Sequence, residues 1–237
     1  MILAAGRGER MRPLTDTMPK PMLKVHGKPL IQWHLESAAV AGITEVVINT
    51  AYLGGQIESF LDDGDSLGLH IRYSREPLGA LETAGGIATA RPWQNALGTI
   101  ISDHFLVVNA DIWTDWPFEK AFAIRDQLQA SPNDRCHLVL VTNPSQHPQG
   151  DFSLGDAIPN WPDARRTMPK NLDLSLTFSG IGVYDRSMFE SLTPGQRAPL
   201  APMLHKAVAA QRCVGSLHQG YWSDVGTPER LEALNQS

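Results

Sequence analysis

The stretch ILAAGRGERMRPLT, residues 2–15, decides the fold of this chain, and the segment PKP follows it at residues 19–21. A short apolar strand runs there straight into a loop that contains Gly6 and Gly8. Because glycine lacks a Cβ atom, consecutive backbone N–H groups in such a loop can turn inward and form a cradle for an anion. The stretch therefore predicts a strand followed by a phosphate-binding loop.

Charged residues and spacing separate this prediction from its alternatives. Arg10 supplies a guanidinium fork and Lys20 a point charge, a combination that suits a polyphosphate. A dinucleotide-binding fingerprint would need a third glycine where Met11 stands and an unbroken helix where Pro13 occurs. The G-x-x-x-x-G-K-[ST] pattern of a P-loop is absent from the sequence. A tight surface turn with solvated arginines is the alternative that remains.

Strand-like and helix-like segments alternate through the first half of the chain, and the second half is less regular. Helices are predicted at residues 29–41, 54–61, 83–90, 118–129, 199–210 and 228–234, and strands at 46–48, 69–73, 105–108, 137–141 and 176–184. Thr83 is placed to cap the third helix. Residues 143–171 are expected to hold a short hairpin and loops, and residues 214–222 a hairpin that turns at Gln219-Gly220. The alternation predicts an α/β fold, with one domain over residues 1–237 built on a doubly wound, mainly parallel, Rossmann-like sheet.

Composition and charge restrict the class of protein. With 237 residues, of which 42% are apolar and 19% charged, the chain can bury one sizeable core. Its net charge of -5 argues against a general nucleic-acid or anionic-membrane binder. Cys136 and Cys213 lack the spacing of a zinc site or a disulfide framework. The sequence has no signal peptide and no apolar run of roughly 20 residues, so a cytoplasmic protein is expected.

Three further features are candidates for ligand binding. Asp111 comes shortly after Asn109 and a predicted strand, at the edge that the carboxyl ends of parallel strands form. Asp224 precedes the last predicted helix, although each aspartate alone could be a turn or N-cap residue. Gly85 belongs to a glycine pair that weakens the start of a helix. This pair indicates close approach by a flat or phosphorylated ligand or, alternatively, close packing of the helix on the sheet.

The motifs together resemble the sugar-1-phosphate nucleotidylyltransferases, also called nucleotide-sugar pyrophosphorylases. The string L-A-A-G-x-G-x-R-M-x-P-L-T with P-K-P carries the resemblance, which further segments extend over nearly the whole chain: residues 81–86, 109–113, 143–152 and 178–184. These segments look most like the short N-acetylmuramate-1-phosphate uridylyltransferases of bacterial cell-wall recycling. Mannose-1-phosphate guanylyltransferases share the glycine loop and both aspartates. Family members usually carry a few more residues before the loop, so the native chain is expected to start slightly upstream of Met1.

The resemblance implies a reaction and gives roles to particular residues. A sugar-1-phosphate oxygen would attack the α-phosphorus of a nucleoside triphosphate and release pyrophosphate, with UTP and N-acetylmuramate 1-phosphate as the favoured pair. Asp111 and Asp224 would bind Mg²⁺, which prefers carboxylates, phosphate oxygens and water. Arg10 would stabilise charge on the pyrophosphate side, and Lys20 would stabilise the transferring phosphate. Because the nucleophile is already an anion, no general base is needed.

The same resemblance assigns binding residues to both substrates. The nucleotide side comprises Leu3, Ala4, Ala5, Gly6, Gly8, Glu82, Gly85 and Asn109. Gly85 would contact the base, with Glu82 and Thr83 beside it. The sugar side, in the small hairpin and loop region, comprises Asn143, Gly150, Asp151 and Gly180. The family's E-K-P segment, whose lysine meets the sugar phosphate, has no counterpart here. Lys170 and Arg166 stand nearby, the residues give no basis for choosing between them, and a solvated loop would also explain both.

Other functions stay open on the sequence. A mannose-1-phosphate guanylyltransferase would use the same loop and aspartates with GTP. A regulatory module that binds nucleotide-sugars without catalysis would keep the glycines but could lose the carboxylates and cations, which are all present here. An NAD-dependent oxidoreductase is disfavoured by Met11 in the fingerprint. The expected partners are small molecules, with no nucleic acid and no membrane, and the oligomeric state is left open.

Overall fold

The computed structural model describes residues 1–77, 81–171 and 175–236, which form thirteen strands and six α-helices. The strands are β1 (Ile2–Leu3), β2 (Lys24–Val25), β3 (Lys28–Pro29), β4 (Glu45–Thr50), β5 (His70–Arg75), β6 (His104–Asn109), β7 (Ile112–Thr114), β8 (Cys136–Val141), β9 (Phe152–Ile158), β10 (Trp161–Pro169), β11 (Ser175–Asp185), β12 (Cys213–Leu217) and β13 (Trp222–Asp224). The helices are α1 (Leu30–Val40), α2 (Gly54–Leu61), α3 (Glu82–Ala90), α4 (Lys120–Ala130), α5 (Leu200–Ala209) and α6 (Pro228–Gln236).

One sheet of nine strands organises the molecule, in the order β5-β4-β1-β6-β11-β8-β12-β10-β9. Strands β5, β4, β1 and β6 pair in parallel, and β12 is parallel to β8. Strands β11 and β10 run antiparallel to the strands beside them. The predicted α/β class and doubly wound, mostly parallel sheet are confirmed. The sheet is mixed because β10 and β11 run against the other strands. That residues 1–237 form one domain stays a prediction.

Strand β1 lies where the strand order reverses, with β4 and β5 on one side and β6 on the other. In open α/β sheets a crevice forms at such a reversal, outside the carboxyl ends of the strands, and ligands bind there. The chain leaves β1 at this end through the glycine loop, residues 4–8. The fold therefore places that loop at the crevice.

Helices cover both faces of the sheet. Val107 packs in the cluster that holds α3 and α5, whereas its neighbour Val108 packs in the cluster that holds α4. Helices α1 and α2 pack against β1 and β4 on the face that also carries α4. Because successive side chains of a strand point to opposite faces, the centre of β6, residues 105–108, must be apolar on both faces, as its sequence predicts. None of the described helices has both the length and the apolar content that a membrane crossing requires.

Two local predictions are wrong. Thr83 does not cap α3, because the helix begins at Glu82, its N-cap residue is Leu81, and no side chain caps it. Residues 214–222 do not form a hairpin. Strand β12 is buried in the main sheet beside β8, and β13 pairs instead with β7. The predicted hairpin within residues 143–171 exists, but its strands β9 and β10 are long and join the main sheet.

Two buried histidines predict that acid destabilises the fold. Burial lowers the pKa of His34 to about 4 and that of His137 to about 3, from an ordinary value of 6.5. Below pH 6.5 the unfolded chain therefore binds more protons than the folded chain, so the free energy of unfolding decreases as the pH falls toward these values. At about pH 5 the free energy of unfolding should be about 2 kcal/mol lower for each histidine than at neutral pH.

Chemical denaturation of the wild type and of His137→Gln, at about pH 7.5 and about pH 5, measures this loss of stability. The variant should lose about 2 kcal/mol less than the wild type on acidification, because glutamine takes up no proton. Equal losses in the two proteins would contradict the prediction.

Candidate active site

A cleft opens at the carboxyl ends of β1, β4 and β6, and it contains two adjoining cavities of about 260 and 340 Å³. Both are lined by Leu3, Glu82, Thr83 and Asn109. The first also contains Ala4, Ala5, Gly6, Lys20 and Asp111. The second also contains Asp151 and Gly180, with apolar side chains of α5 and β11. The structure therefore brings together residues predicted for the nucleotide, the sugar, catalysis and the metal.

The two loop glycines differ in what they do. Gly8 has a left-handed backbone with φ +68°, and its carbonyl accepts hydrogen bonds from Met11 N and Thr15 Oγ1, both at 2.9 Å. A Cβ atom at Gly8 would lie 3.1 Å from Lys20 Cβ, so this glycine shapes the loop and does not line the cavities. Gly6 has no neighbour within 4 Å of a Cβ position. It leaves the loop open to the first cavity.

A buried polar network that the motifs did not reveal supports the loop. Ala4 N donates to Asn49 Oδ1 at 2.8 Å, and Asn49 Nδ2 donates to Glu76 Oε1 at 2.7 Å. Leu81 N donates to the second oxygen of Glu76 at 3.3 Å. The network ties the start of the glycine loop to the start of α3 across the first cavity. The available signal was weak: Asn49 follows the apolar run at residues 46–48 of β4, and Glu76 comes directly after β5, whose sequence is mostly polar.

Gly85 serves close packing in the structure, which was the alternative to base contact. It lines neither cavity, its N–H donates to Ala198 O at 3.0 Å, and a Cβ atom there would clash with the backbone oxygen of Gln196. Gly86 makes room for the network carboxylate, because its Cβ would lie 2.5 Å from Glu76 Oε1. The glycine pair thus lets α3 approach two neighbours. Contact of Gly85 with the base is not supported by this placement.

Replacing Gly85 with alanine should destabilise the protein by about 1–3 kcal/mol, because the new methyl group meets backbone that cannot rotate away. Gly55→Ala, at an exposed position of α2, is the matched control. Nothing lies within 4 Å of its Cβ position. It should therefore stabilise by about 0.4–1 kcal/mol through lower chain entropy in the unfolded state. Urea denaturation measures both, and a Gly85→Ala protein as stable as the wild type would contradict the packing role.

Lys20 and Asp111 form an ion pair inside the first cavity. Lys20 Nζ lies 2.5 Å from Asp111 Oδ2, and Lys20 is 7% exposed. The Asp111 side chain is 40% exposed, so it faces the cleft. Arg10, by contrast, lies exposed in the short helical turn Glu9–Met11. Among the described residues it has no hydrogen-bond or ion-pair partner and lines neither cavity.

Asp224 lies beside Asp111 through strand pairing. It stands opposite Ile112 in the β13–β7 pair, and Val225 N donates to Asp111 O at 2.8 Å. The described residues contain no group of three or more His, Cys, Asp or Glu side chains that could hold a metal unaided. Asp224 itself lines neither cavity. Carboxylates on two adjacent backbone segments suit Mg²⁺, because this ion commonly takes one or two carboxylates and completes its shell with phosphate oxygens and water.

Three of the four predicted sugar residues, Asn143, Gly150 and Asp151, belong to a tightly bonded loop between β8 and β9, and Gly180 lies in β11. Asn143 Nδ2 donates to Pro148 O at 3.1 Å and to Ser175 O at 2.9 Å, so its side chain holds the loop. Gly150 has φ +57°, and a Cβ there would lie 2.6 Å from Asn143 Oδ1. Neither residue lines a cavity of the cleft. Both shape the segment that leads to Asp151.

Asp151 and Gly180 do line the second cavity. Asp151 Oδ2 accepts from Phe178 N at 2.8 Å, and its other oxygen lies 3.0 Å from His147 Nε2. Gly180 has φ +82°, and a Cβ there would lie 2.6 Å from Asn109 Nδ2. This glycine therefore lets Asn109 reach across between the two cavities.

The two basic residues considered for the sugar phosphate lie in different places. Arg166 is paired with Asp134 and with Gln211 O, which places its guanidinium outside both cavities. Lys170 Nζ donates to Gln149 Oε1 at 3.2 Å, beside the sugar loop. Of the two, Lys170 is the one that contacts this loop.

Comparison with known proteins defines the class. Residues 1–151 match the family described as nucleotidyl transferase. The chain belongs to this family and is a sugar-1-phosphate nucleotidyltransferase. It is 51% identical over 232 residues to the N-acetylmuramate alpha-1-phosphate uridylyltransferase of Neisseria meningitidis serogroup B, which covers 98% of this chain and 94% of that protein. The predicted family is therefore confirmed.

Other relatives are more distant. An enzyme of the same description from Caulobacter vibrioides is 31% identical over 97% of this chain and 92% of its own length. The mannose-1-phosphate guanylyltransferase of Mycobacterium tuberculosis is 29% identical over 97% of this chain and 61% of its own length. The crystal structure of a putative glucose-1-phosphate thymidylyltransferase from Bacillus anthracis superposes with a TM-score of 0.78 at 19% identity, covering 99% of this chain and 92% of that one. The last comparison concerns the fold alone.

Proposed function

We propose that this chain transfers uridylate from UTP to N-acetylmuramate 1-phosphate, giving UDP-N-acetylmuramate and pyrophosphate, in bacterial cell-wall recycling. The observation that carries the chemistry is the Lys20–Asp111 ion pair, set in the cleft beside the strand of Asp224. The choice of substrates draws on the names of the relatives from Neisseria meningitidis and Caulobacter vibrioides. The proposal keeps the cytoplasmic location, the single domain and the small-molecule partners that the sequence predicts.

The proposed mechanism rests on positioning and charge. An oxygen of the sugar phosphate forms a bond to the α-phosphorus of UTP. The bond from that phosphorus to the oxygen that bridges it to the β-phosphorus breaks, and its electron pair leaves with pyrophosphate. Asp111 and Asp224 would hold Mg²⁺, which supplies charge neutralisation at the phosphates. Lys20 binds the transferring phosphate, and the loop backbone at Gly6 binds the triphosphate. The nucleophile is an anion, so the chain supplies no base.

Arg10 is proposed to act on the pyrophosphate side, because it is an exposed cation with no partner in the described part of the chain and is available to bind the leaving group. Arg10→Ala should lower kcat/KM by roughly 30-fold, about 2 kcal/mol, because its charge is needed as pyrophosphate departs. Arg12→Ala is the control, since Arg12 pairs with Asp16 at 2.7 Å, and it should stay near wild type. Pyrophosphate release with UTP measures both. Unchanged turnover in Arg10→Ala would remove this residue from the mechanism.

A cross of substrates tests the proposed function. Pyrophosphate release is measured with Mg²⁺ for UTP, GTP, dTTP and CTP against the 1-phosphates of N-acetylmuramate, mannose, glucose and N-acetylglucosamine. Turnover concentrated on UTP with the muramate phosphate is expected. A preference for GTP with mannose 1-phosphate, which the Mycobacterium tuberculosis relative makes the second candidate, would replace the substrates and keep the mechanism. If no combination releases pyrophosphate although UTP still binds, a non-catalytic binding module would be favoured.

A further inference from the structure

Arg230 holds the carboxylate of Asp224 in a defined position. Its Nη1 lies 2.6 Å from both Asp224 oxygens, and the two side chains are only 20% and 26% exposed. Gly226 makes the seat for this contact, because a Cβ there would lie 2.8 Å from Arg230 Cζ and 2.8 Å from Asp224 Oδ2. Any other residue at position 226 would therefore displace the guanidinium. The surrounding structure therefore holds this ion pair in one geometry.

The helix that carries Arg230 is fixed to the rest of the cleft. On α6, Asn235 Oδ1 accepts from His26 N at 2.7 Å, and Asn235 Nδ2 donates to Lys24 O at 3.1 Å. Leu234 is buried in the cluster that also contains Met11 of the glycine-loop segment. A guanidinium on this helix therefore has a fixed position relative to the nucleotide side of the site.

The contacts on Asp224 leave room for a further ligand. Arg230 contacts each carboxylate oxygen once, and Gln146 Nε2 donates to Oδ1 at 2.6 Å, which makes three contacts in all. An ionised carboxylate offers about four lone-pair positions. A cation can therefore bind Asp224 while Arg230 stays in place, so the guanidinium orients the carboxylate without having to be displaced.

We propose that Arg230 is a positioning residue that orients Asp224 for a divalent cation. The proposal rests on the proposed function, since it takes Asp224 as a metal ligand. Groups that hydrogen-bond to metal-ligating carboxylates fix their direction, and their loss typically weakens metal binding by about 10- to 100-fold. The same guanidinium offsets the negative charge of Asp224, as Lys20 does for Asp111, so that two carboxylates can lie on adjacent backbone segments.

Direct Mn²⁺ binding, followed through the electron paramagnetic resonance signal of the free ion, tests the role without turnover. Arg230→Met should bind Mn²⁺ about 10- to 100-fold more weakly than the wild type. Arg230→Lys keeps a positive charge but loses the planar guanidinium group. Its affinity for Mn²⁺ should therefore lie between those of the wild type and Arg230→Met. Arg125→Met, which removes a guanidinium paired with Asp126 on the surface of α4, should bind as the wild type does. Wild-type or tighter binding by Arg230→Met would overturn the proposal.

Two further measurements keep the outcomes distinct. If Asp224→Ala binds Mn²⁺ like the wild type, Asp224 is not a ligand. Both its proposed metal role and the proposed role of Arg230 are then wrong. If Asp224→Ala binds weakly and Arg230→Met does not, only the role of Arg230 falls. Thermal unfolding reports whether each variant folds. Should Arg230→Met not fold, Arg230→Lys decides, with a threefold or larger loss of affinity supporting the proposal and no loss overturning it.

Discussion

Asp111→Asn is expected to lower kcat/KM by at least about 1,000-fold, or about 4 kcal/mol. The substitution removes a carboxylate proposed to bind Mg²⁺ and, at the same time, the only acid paired with Lys20 among the described residues. It keeps the size of the side chain, so packing around the site should change little. Steady-state pyrophosphate release with UTP and N-acetylmuramate 1-phosphate measures the effect.

Asp115→Asn is the matched control for this substitution. Asp115 lies on the same segment, its side chain is 57% exposed, and it pairs with His218 at 2.8 Å outside both cavities. Its variant should stay within about twofold of wild type in kcat/KM, since neither Asp115 nor His218 lines a cavity of the cleft. An Asp111→Asn enzyme that kept a tenth or more of wild-type kcat/KM would remove Asp111 from the metal site.

Lys20→Met should lower kcat/KM by roughly 1,000-fold, about 4 kcal/mol, and should act on kcat more than on the KM for UTP. The effect exceeds that expected for Arg10 because Lys20 is almost fully buried, where a charge acts through less water. Methionine retains the unbranched stem and loses only the ammonium group. The protein should stay folded, since Asp111 faces the cleft and can be solvated.

Lys24→Met provides the comparison, because Lys24 is exposed on β2 only four residues further along. It should behave as the wild type in kcat and KM. A Lys20→Met enzyme with wild-type kcat would show that this ammonium does not stabilise the transferring phosphate.

The parts of the fold that the sequence predicted are those that local pattern controls. Helix α2 begins and ends at the predicted residues, Gly54 and Leu61, because the spacing of its apolar residues lies within one segment. The glycine loop was placed correctly after β1 for the same reason. The strand alternation then implied the sheet edge where Asp111 lies, since parallel strands end together.

The parts that the sequence missed depend on contacts between distant segments. Residues 214–222 have the local look of a hairpin, yet Cys213 and Val214 are fully buried beside β8, and this burial outweighs the turn at Gln219. Asn49 and Glu76, which are 27 positions apart in the sequence, connect β4 and the end of β5 to the loop, and no sequence spacing predicts this contact. Arg230 has a role only because α6 returns to β13. Tertiary packing, not propensity, decides each of these cases.

Both proposed metal ligands already have a basic partner on the protein, Lys20 for Asp111 and Arg230 for Asp224. Two carboxylates on adjacent backbone segments would otherwise repel each other. The two cations differ in their expected consequences. Lys20 lines the cavity and can turn to a phosphate, whereas Arg230 is seated on Gly226 and keeps to Asp224.

In the proposed reaction a sugar phosphate oxygen attacks the α-phosphorus of UTP in this cleft. An isotope experiment follows this bond, with N-acetylmuramate 1-phosphate that carries ¹⁸O in all its phosphate oxygens, unlabelled UTP and Mg²⁺. The products are separated and their masses determined by mass spectrometry. All of the label should stay in UDP-N-acetylmuramate, and pyrophosphate should carry none. Label in pyrophosphate, or a nucleotide-sugar that has lost ¹⁸O, would contradict the proposed reaction.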